Sequence, residues 1–337
     1  MTKPKPPLIN GEHPFAQYVR ILGKGKTGTR SLEKNEAYQA MRMILSGEVE
    51  SVQLGAFMML LRVKEESHDE LTGFVLAVKD HIQAPPTVSV DLDWSSYAGK
   101  RRQLPWFILS SLLLADNGIR ILMHGANGHT IGRLYTEQII NELDLPIAFD
   151  WHHVEQQLNQ SCFSFMPLKT LCPELQTIMD LRNQFGLRSP VHTLSRLINP
   201  LNADYSIQSI FHPAYGESHQ LSALALGQTN AAVFKGEGGE VERKPEANCT
   251  VKQIINGAAT EEVWPRLLEG RQQQQQLLDI NKLRRCWQGN YREEYGEFAI
   301  IGTTAIALKL LGKASSQEHA LQKSKKMWQQ RNKKRLS

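Results

Sequence analysis

The sequence predicts an α/β protein: a small all-α N-terminal domain followed by a largely parallel central sheet flanked by helices. Two observations carry this expectation. Between residues 15 and 83 apolar side chains recur at helical spacing throughout. From Val88 onward, apolar or β-branched runs at 119 to 123, 162 to 167, 206 to 211 and 231 to 235 alternate with helical stretches at 130 to 143, 173 to 185 and 213 to 226. Such alternation is the mark of parallel strands joined by crossover helices. The division expected is a flexible arm at 1–14, a helical dimerisation domain at 15–83, an α/β domain at 84–320 and a basic C-terminal helix or tail at 321–337.

The helical domain is read from its own stripes and stops. Tyr38, Met41, Ile44 and Leu45 line one helix, which Gly47 ends. Ser51 is placed to cap the next, where Leu54, Phe57, Met58 and Leu61 share a face. Ser67 and Glu70 form a capping box ahead of Leu71, Phe74, Val75 and Val78. These stripes are broad for so small a domain, so some of that surface is expected to pack on the second domain or on another copy of the chain, and a homodimer through the helical domain is expected. Before these helices, Arg20 to Arg30 is a Gly-rich loop with Lys24, Lys26 and Arg30, and no acid stands between His13 and Leu32. It matches no complete phosphate-loop pattern; a second phosphate contact and a flexible turn are equal readings.

The stretch Ser95 to Gln103, SSYAGKRRQ, lies between the run at Val88 to Val90 and a helix opened by Pro105. It is therefore a strand-to-helix loop, the place where free amides and the helix dipole favour anions. Gly99 allows close backbone approach, and Lys100, Arg101 and Arg102 add three charges. The plainer alternative is an exposed turn with solvated charges. Trp106, just beyond, is assigned to the core rather than to base stacking.

Beyond Gly236 the pattern loosens. Glu237, Glu240 and Glu242, without an Asp partner and beside Arg243 and Lys244, read as a solvated loop rather than a magnesium site, and Gln272 to Gln276 as a solvated helix face or loop. Phe298 to Leu311 is apolar enough for a buried helix. Ser315 with Glu318 is expected to cap the last helix, whose end carries Lys323, Lys325, Lys326, Arg331, Lys333, Lys334 and Arg335. That tail suits either an anionic polymer or a disordered solubilising end.

Composition sets limits. Of 39 basic and 34 acidic residues, the first 93 positions hold 11 and 12, so the positive excess belongs to the second part. Cys162, Cys172, Cys249 and Cys286 show no CxxC pairing, which fits a reducing, cytoplasmic setting without a disulfide framework. No apolar run approaches the roughly 20 residues of a membrane span, so no membrane partner is expected. His124 with His129, and His152 with His153, lack accompanying ligands at metal spacing. No metal and no cofactor are expected.

The residues also resemble a known family. Asn35-Glu36-Ala37-Tyr38, Ser46-Gly47-Glu48-Val49, Gln53 to Met58 and Leu61 to Lys64 are similar to the helical domain of anthranilate phosphoribosyltransferases. Met123-His124-Gly125 resembles that family's Lys-His-Gly-Asn, Leu181 to Arg188 its Arg-Arg-Glu-Leu-Gly-x-Arg, and Asn199-Pro200 its Asn-Pro. The resemblance implies a phosphoribosyltransferase and nucleoside-phosphorylase-like fold and homodimers through the helical domains.

Its chemistry, transfer from a magnesium-bound diphosphate donor, does not follow. The Gly-Thr-Gly-Gly-Asp loop is replaced by Ser95-Ser96-Tyr97-Ala98-Gly99, the Asn-x-Ser-Thr falls around Pro105 to Ile108, Met123 stands where the Lys would be, and the Asp-Glu metal pair falls at Val241-Glu242. With SYxGxRxQ at the loop and GxGK at Gly23 to Lys26, the chain resembles the YbiB-type branch, whose members bind nucleic acid without sequence specificity and show no known transferase activity. The resemblance thus implies a nucleic-acid binder, for DNA, single-stranded DNA or RNA. Its phosphate contacts would be Gly99, Lys100, Arg101, Arg102, Lys24, Lys26 and Arg30, with His124 and Arg188 as a residual small-anion pocket. Arg188 matches a family residue that contacts an aromatic acid, and a structural ion pair serves it equally well. The alternative is a phosphoribosyltransferase or phosphorylase with altered substrate and metal use.

Overall fold

The computed structural model describes residues 11–126, 128, 130–270 and 278–336. Most of the arm and the Gln272 to Gln276 run lie outside them.

Four helices open the chain: α1 (Ala16–Gly23), α2 (Lys34–Leu45), α3 (Ser51–Lys64) and α4 (His68–Ile82). Capping boxes begin three of them. Ser67 and Glu70 form the one expected at α4, whereas α3 is capped by Glu50 with Gln53, leaving Ser51 as its first helical residue. Glu70 is fully buried because it also accepts the Leu32 amide at 2.8 Å and pairs with Lys64 at 2.7 Å.

The remainder runs β1 (Leu92–Ser96), α5 (Trp106–Asp116), β2 (Ile121–Gly125), α6 (Thr136–Glu142), α7 (Trp151–Ser161), β3 (Phe163–Pro167) and α8 (Leu168–Leu171). There follow α9 (Pro173–Asp180), α10 (Arg182–Phe185), α11 (Val191–Leu194), β4 (Tyr205–Ile210), α12 (Tyr215–Ala225) and β5 (Asn230–Lys235). The chain closes with β6 (Cys249–Ile255), β7 (Ala258–Trp264), α13 (Asn281–Gln288), α14 (Glu294–Leu310) and α15 (Gln317–Gln330). The sheet order is β3-β2-β1-β4-β5-β6-β7, with β1 to β5 parallel and β6 and β7 antiparallel. The winding reverses between β1 and β4, and the crevice beyond their carboxyl ends is where open α/β sheets hold ligands.

Both faces of the sheet are covered. On one, α5 and α14 bury Trp106, Phe107, Ile300 and Ile306 with Trp94 and Trp264. On the other, Tyr97, Leu122 and Met166 share a continuous core with Phe57 and Phe74 of the helical domain. The helical domain is therefore not a separate bead; it seals one side of the sheet.

Three elements differ from expectation. The first strand begins at Leu92 rather than Val88, because pairing starts opposite Ile121, so Ser95 and Ser96 lie in the strand and the loop begins at Tyr97. The hairpin β6–β7 was hidden in the loosened region; it turns at Asn256-Gly257, both at positive φ, a pair suited to a two-residue turn. The basic end is docked rather than trailing, and Ser316, not Ser315, caps its helix. Arg331 donates to the carbonyls of Trp287, Trp328 and Cys286 and stacks 3.6 Å over Trp328, while Arg335 pairs with Asp116 and Leu336 is buried. Lys325, Lys326 and Lys333 remain exposed.

Candidate functional site

The loop after β1 takes its shape from Gly99 at φ +69° and from a backbone bridge between Lys100 and Leu134. Its carbonyls are gathered by Arg133, whose Nη1 donates to Ala98 and Gly99 at 3.0 and 2.9 Å and to Gly238 at 3.2 Å. Its amides face inward, toward a neighbouring segment. Glu240 Oε1 accepts from the Ala98 and Gly99 amides at 2.7 and 2.6 Å, and Oε2 accepts from the Ser96 hydroxyl at 2.8 Å. Two residues on, Glu242 accepts from the Phe107 amide in the first turn of α5 at 3.0 Å and pairs with Lys100 at 2.5 Å. Gly236 permits this approach: a Cβ there would lie 1.7 Å from the Glu240 carbonyl.

Both anion-attracting features at the end of β1, the amide nest and the helix N-terminus, are thus filled by the chain's own carboxylates. The expectations for Glu240, Glu242 and Lys100 are corrected together. Glu240 and Glu242 are buried, not solvated, and Lys100 is 1% exposed because its backbone bridge turns the ammonium into Glu242. Burial pushes the Glu242 carboxyl up, and Lys100 with the Phe107 amide pulls it back. Gly99 likewise spends its amide on Glu240.

Arg101 and Arg102 turn outward instead. They open onto a groove of about 690 Å³ at the carboxyl ends of β4 and β5, shared with Arg133, Lys235, Lys244 and Lys252. Against these six cations the groove carries two carboxylates, Glu237 and Glu261. Lys244 pairs with Glu246 and Lys252 with Glu261, each at 2.9 Å. Arg101, Arg102 and Lys235 are exposed and have no carboxylate partner among the described residues. Lys235 was missed in the sequence, although its place at the end of a predicted strand marks it as crevice-facing; Arg133, Lys244 and Lys252 reach the groove only through the fold.

A smaller cavity of about 140 Å³ lies where the α3–α4 junction meets α11 and the loop after β4, lined by Arg62, Glu66, Arg188, Arg196, His212 and His219 among others. Arg188 is brought down to about 10 by burial and by Arg196 and Arg133, and burial raises Glu66 to about 7. His219 is buried, lowered to about 3, and held on Gln208 at 3.0 Å. Phe211, 46% exposed, borders both cavities.

His124 does not join Arg188, which corrects that pairing. It is fully buried in the strand layer, with Nδ1 2.6 Å from the Tyr97 hydroxyl and Nε2 3.2 Å from Asp93. Trp106 is buried, as expected. Lys24 and Lys26 are exposed on the loop after α1, but Arg30 is matched by a two-point contact with Glu36 at 2.6 and 2.7 Å; none of the three lines either cavity. His129 lies outside the described residues.

This architecture is that of a known class. Residues 16–82 match the helical bundle domain of a glycosyl transferase family and residues 108–330 match its a/b domain, and the chain belongs to that family. Within it the chain is anthranilate phosphoribosyltransferase-like. It is 27% identical to an uncharacterized protein of Aquifex aeolicus over 92% of this chain and 96% of that one, and 27% identical to the uncharacterized protein YbiB of Escherichia coli over 72% and 76%. It is 26% identical to the anthranilate phosphoribosyltransferase of Methylocella silvestris over 71% and 68%. Among solved structures, the Saccharomyces cerevisiae anthranilate phosphoribosyltransferase in complex with PRPP and Mg superposes with a TM-score of 0.76 at 16% identity, covering 96% of this chain and 95% of that one. At that identity the likeness is one of fold. No helix among the described residues is long and apolar enough to cross a membrane.

Proposed function

We propose that this chain is a sequence-nonspecific nucleic-acid-binding protein on an anthranilate phosphoribosyltransferase-like scaffold, and that the open basic groove holds the phosphates. One observation carries the reading. The loop that would seat a diphosphate is closed by Glu240 and Glu242, while Arg101, Arg102 and Lys235 face an open groove without carboxylate partners among the described residues. A metal-chelated diphosphate would have to displace an internal carboxylate, and Glu242, at the position of the family's metal pair, is committed to Lys100. A run of phosphates needs only the outward cations. DNA is the partner proposed, with RNA and single strands as competitors in the assay; Phe211 offers an exposed ring beside the cations.

The protein acts as a homodimer in this proposal. On α3, Val52 and Val63 are 77% and 83% exposed and, with exposed Ala56 between them, leave an apolar strip uncovered. Four free cysteines fit a cytoplasmic setting.

The test is fluorescence anisotropy with labelled duplex DNA, single-stranded DNA and RNA, beside an assay for magnesium-dependent loss of phosphoribosyl diphosphate. Retention of unrelated sequences at low salt without turnover supports the reading. Turnover without retention supports a transferase with altered substrate and metal use.

A further inference from the structure

We propose that His81, Cys172 and Glu174 form a binding site for a divalent cation of the zinc class. They come from two parts of the fold: His81 from the last turn of α4, Cys172 from the residue before α9, and Glu174 from the first turn of α9. Their donor atoms, a ring nitrogen, a sulfur and a carboxylate oxygen, all lie within 4.8 Å of one another. His81 Nε2 is 3.2 Å and Cys172 Sγ 3.8 Å from the same Glu174 oxygen.

Those spacings fit one central ion. Tetrahedral zinc with nitrogen and oxygen at about 2.0–2.2 Å and sulfur at about 2.3 Å sets N···O near 3.3 Å and S···O near 3.6 Å. The donor set also chooses the metal. Calcium and magnesium take shells of oxygen, whereas mixed sulfur, imidazole and carboxylate donors suit zinc and its neighbours. Cys172 is buried, yet His81 and Glu174 keep 36% and 41% of their side chains exposed, so an ion has a path from solvent. Three protein ligands leave the fourth position to water. Binding replaces the thiol proton, which leaves to solvent, and the Sγ–H···Oε2 contact gives way to two metal bonds. The ion would tie the end of the helical domain to the α8–α9 segment.

The sequence did not show this site because His81 lies far from Cys172 along the chain, without any short ligand spacing. It stands apart from both cavities and does not depend on the nucleic-acid reading.

The full chain, stripped with a chelator and titrated with Co²⁺, is expected to take up one ion per chain with a thiolate-to-cobalt charge-transfer band that Zn²⁺ abolishes. Cys172→Ser should lose that band, and His81→Ala should weaken Co²⁺ binding by about tenfold or more, the scale seen even for outer partners of metal ligands. Wild-type protein without the band, or a band that survives in Cys172→Ser, overturns the proposal. Should Cys172→Ser fail to fold, the exposed positions decide: unchanged Co²⁺ affinity in both His81→Ala and Glu174→Gln leaves only an ion pair and refutes the site.

Discussion

Glu240→Ala should open the seat that this chain has closed. The substitution removes the acceptor of two buried amides, Ala98 and Gly99, and of the Ser96 hydroxyl. A buried donor left without a partner costs about 1–3 kcal/mol, so the two amides together predict a loss of about 2–6 kcal/mol, toward the lower end if water enters. That is a large part of the roughly 5–15 kcal/mol that holds a domain together. An anion that fits the vacated nest should return much of it: at a concentration 100-fold above its Kd, a ligand bound only by the folded state adds about 2.7 kcal/mol. The assay is urea unfolding in chloride buffer with and without pyrophosphate, for wild type, Glu240→Ala and Glu240→Gln. Wild-type protein measures whatever pyrophosphate does in the basic groove. Glu240→Ala should show the extra stabilisation and Glu240→Gln, which keeps an acceptor oxygen in place, should show little of it. If Glu240→Ala is as stable as wild type, or responds to pyrophosphate no more than wild type does, the carboxylate is not filling an anion seat.

Lys100→Met should cost about 3–5 kcal/mol by leaving Glu242 buried without its partner; the loss should shrink as pH falls and Glu242 takes a proton, and DNA binding by the folded fraction should keep its salt dependence, all read from urea melts and anisotropy. Glu66, raised by burial from 4.5 to about 7, binds more protons folded than unfolded between those values, so stability should fall as pH rises across them, by at most about 3 kcal/mol. Glu66→Gln should flatten that fall, and equal urea midpoints for variant and wild type at pH 5 and at pH 8 would count against it. Val52→Glu with Val63→Glu, both on exposed positions, should turn a dimer into a monomer in sedimentation and remove the rise of melting temperature with protein concentration that a dimer shows; a wild-type monomer at tens of micromolar, about the working range for an obligate assembly, refutes the dimer.

The helices and parallel strands were legible because their signals are local. Ser67 with Glu70 marks a helix start from four residues, and runs such as 162 to 167 announce a buried strand by composition. What failed to show was set by distant pairing. Lys100, Arg101 and Arg102 are equivalent as a written run; only the bridge to Leu134 and the arrival of Glu242 decide that the first turns inward and the others outward. Glu240 and Glu242 looked solvated for the same reason, since nothing near them reveals that the β1 loop supplies their partners. The β6–β7 hairpin is a different case: its Asn-Gly pair is a local turn signal, but the acidic, exposed face of β7 conceals the strand.

If phosphates lie on the outward cations of the groove, those cations set how steeply binding depends on salt. Each phosphate neutralised contributes about 0.9 to the slope of log K against log salt on duplex DNA and about 0.7 on single strands. Replacing Arg101, Arg102 and Lys235 together by Ala should flatten the slope by about 2–3 on duplex and about 2 on single strands, equally for unrelated sequences, with the fold unchanged. A folded triple variant that keeps the wild-type affinity and slope would show that the phosphates do not lie on these cations.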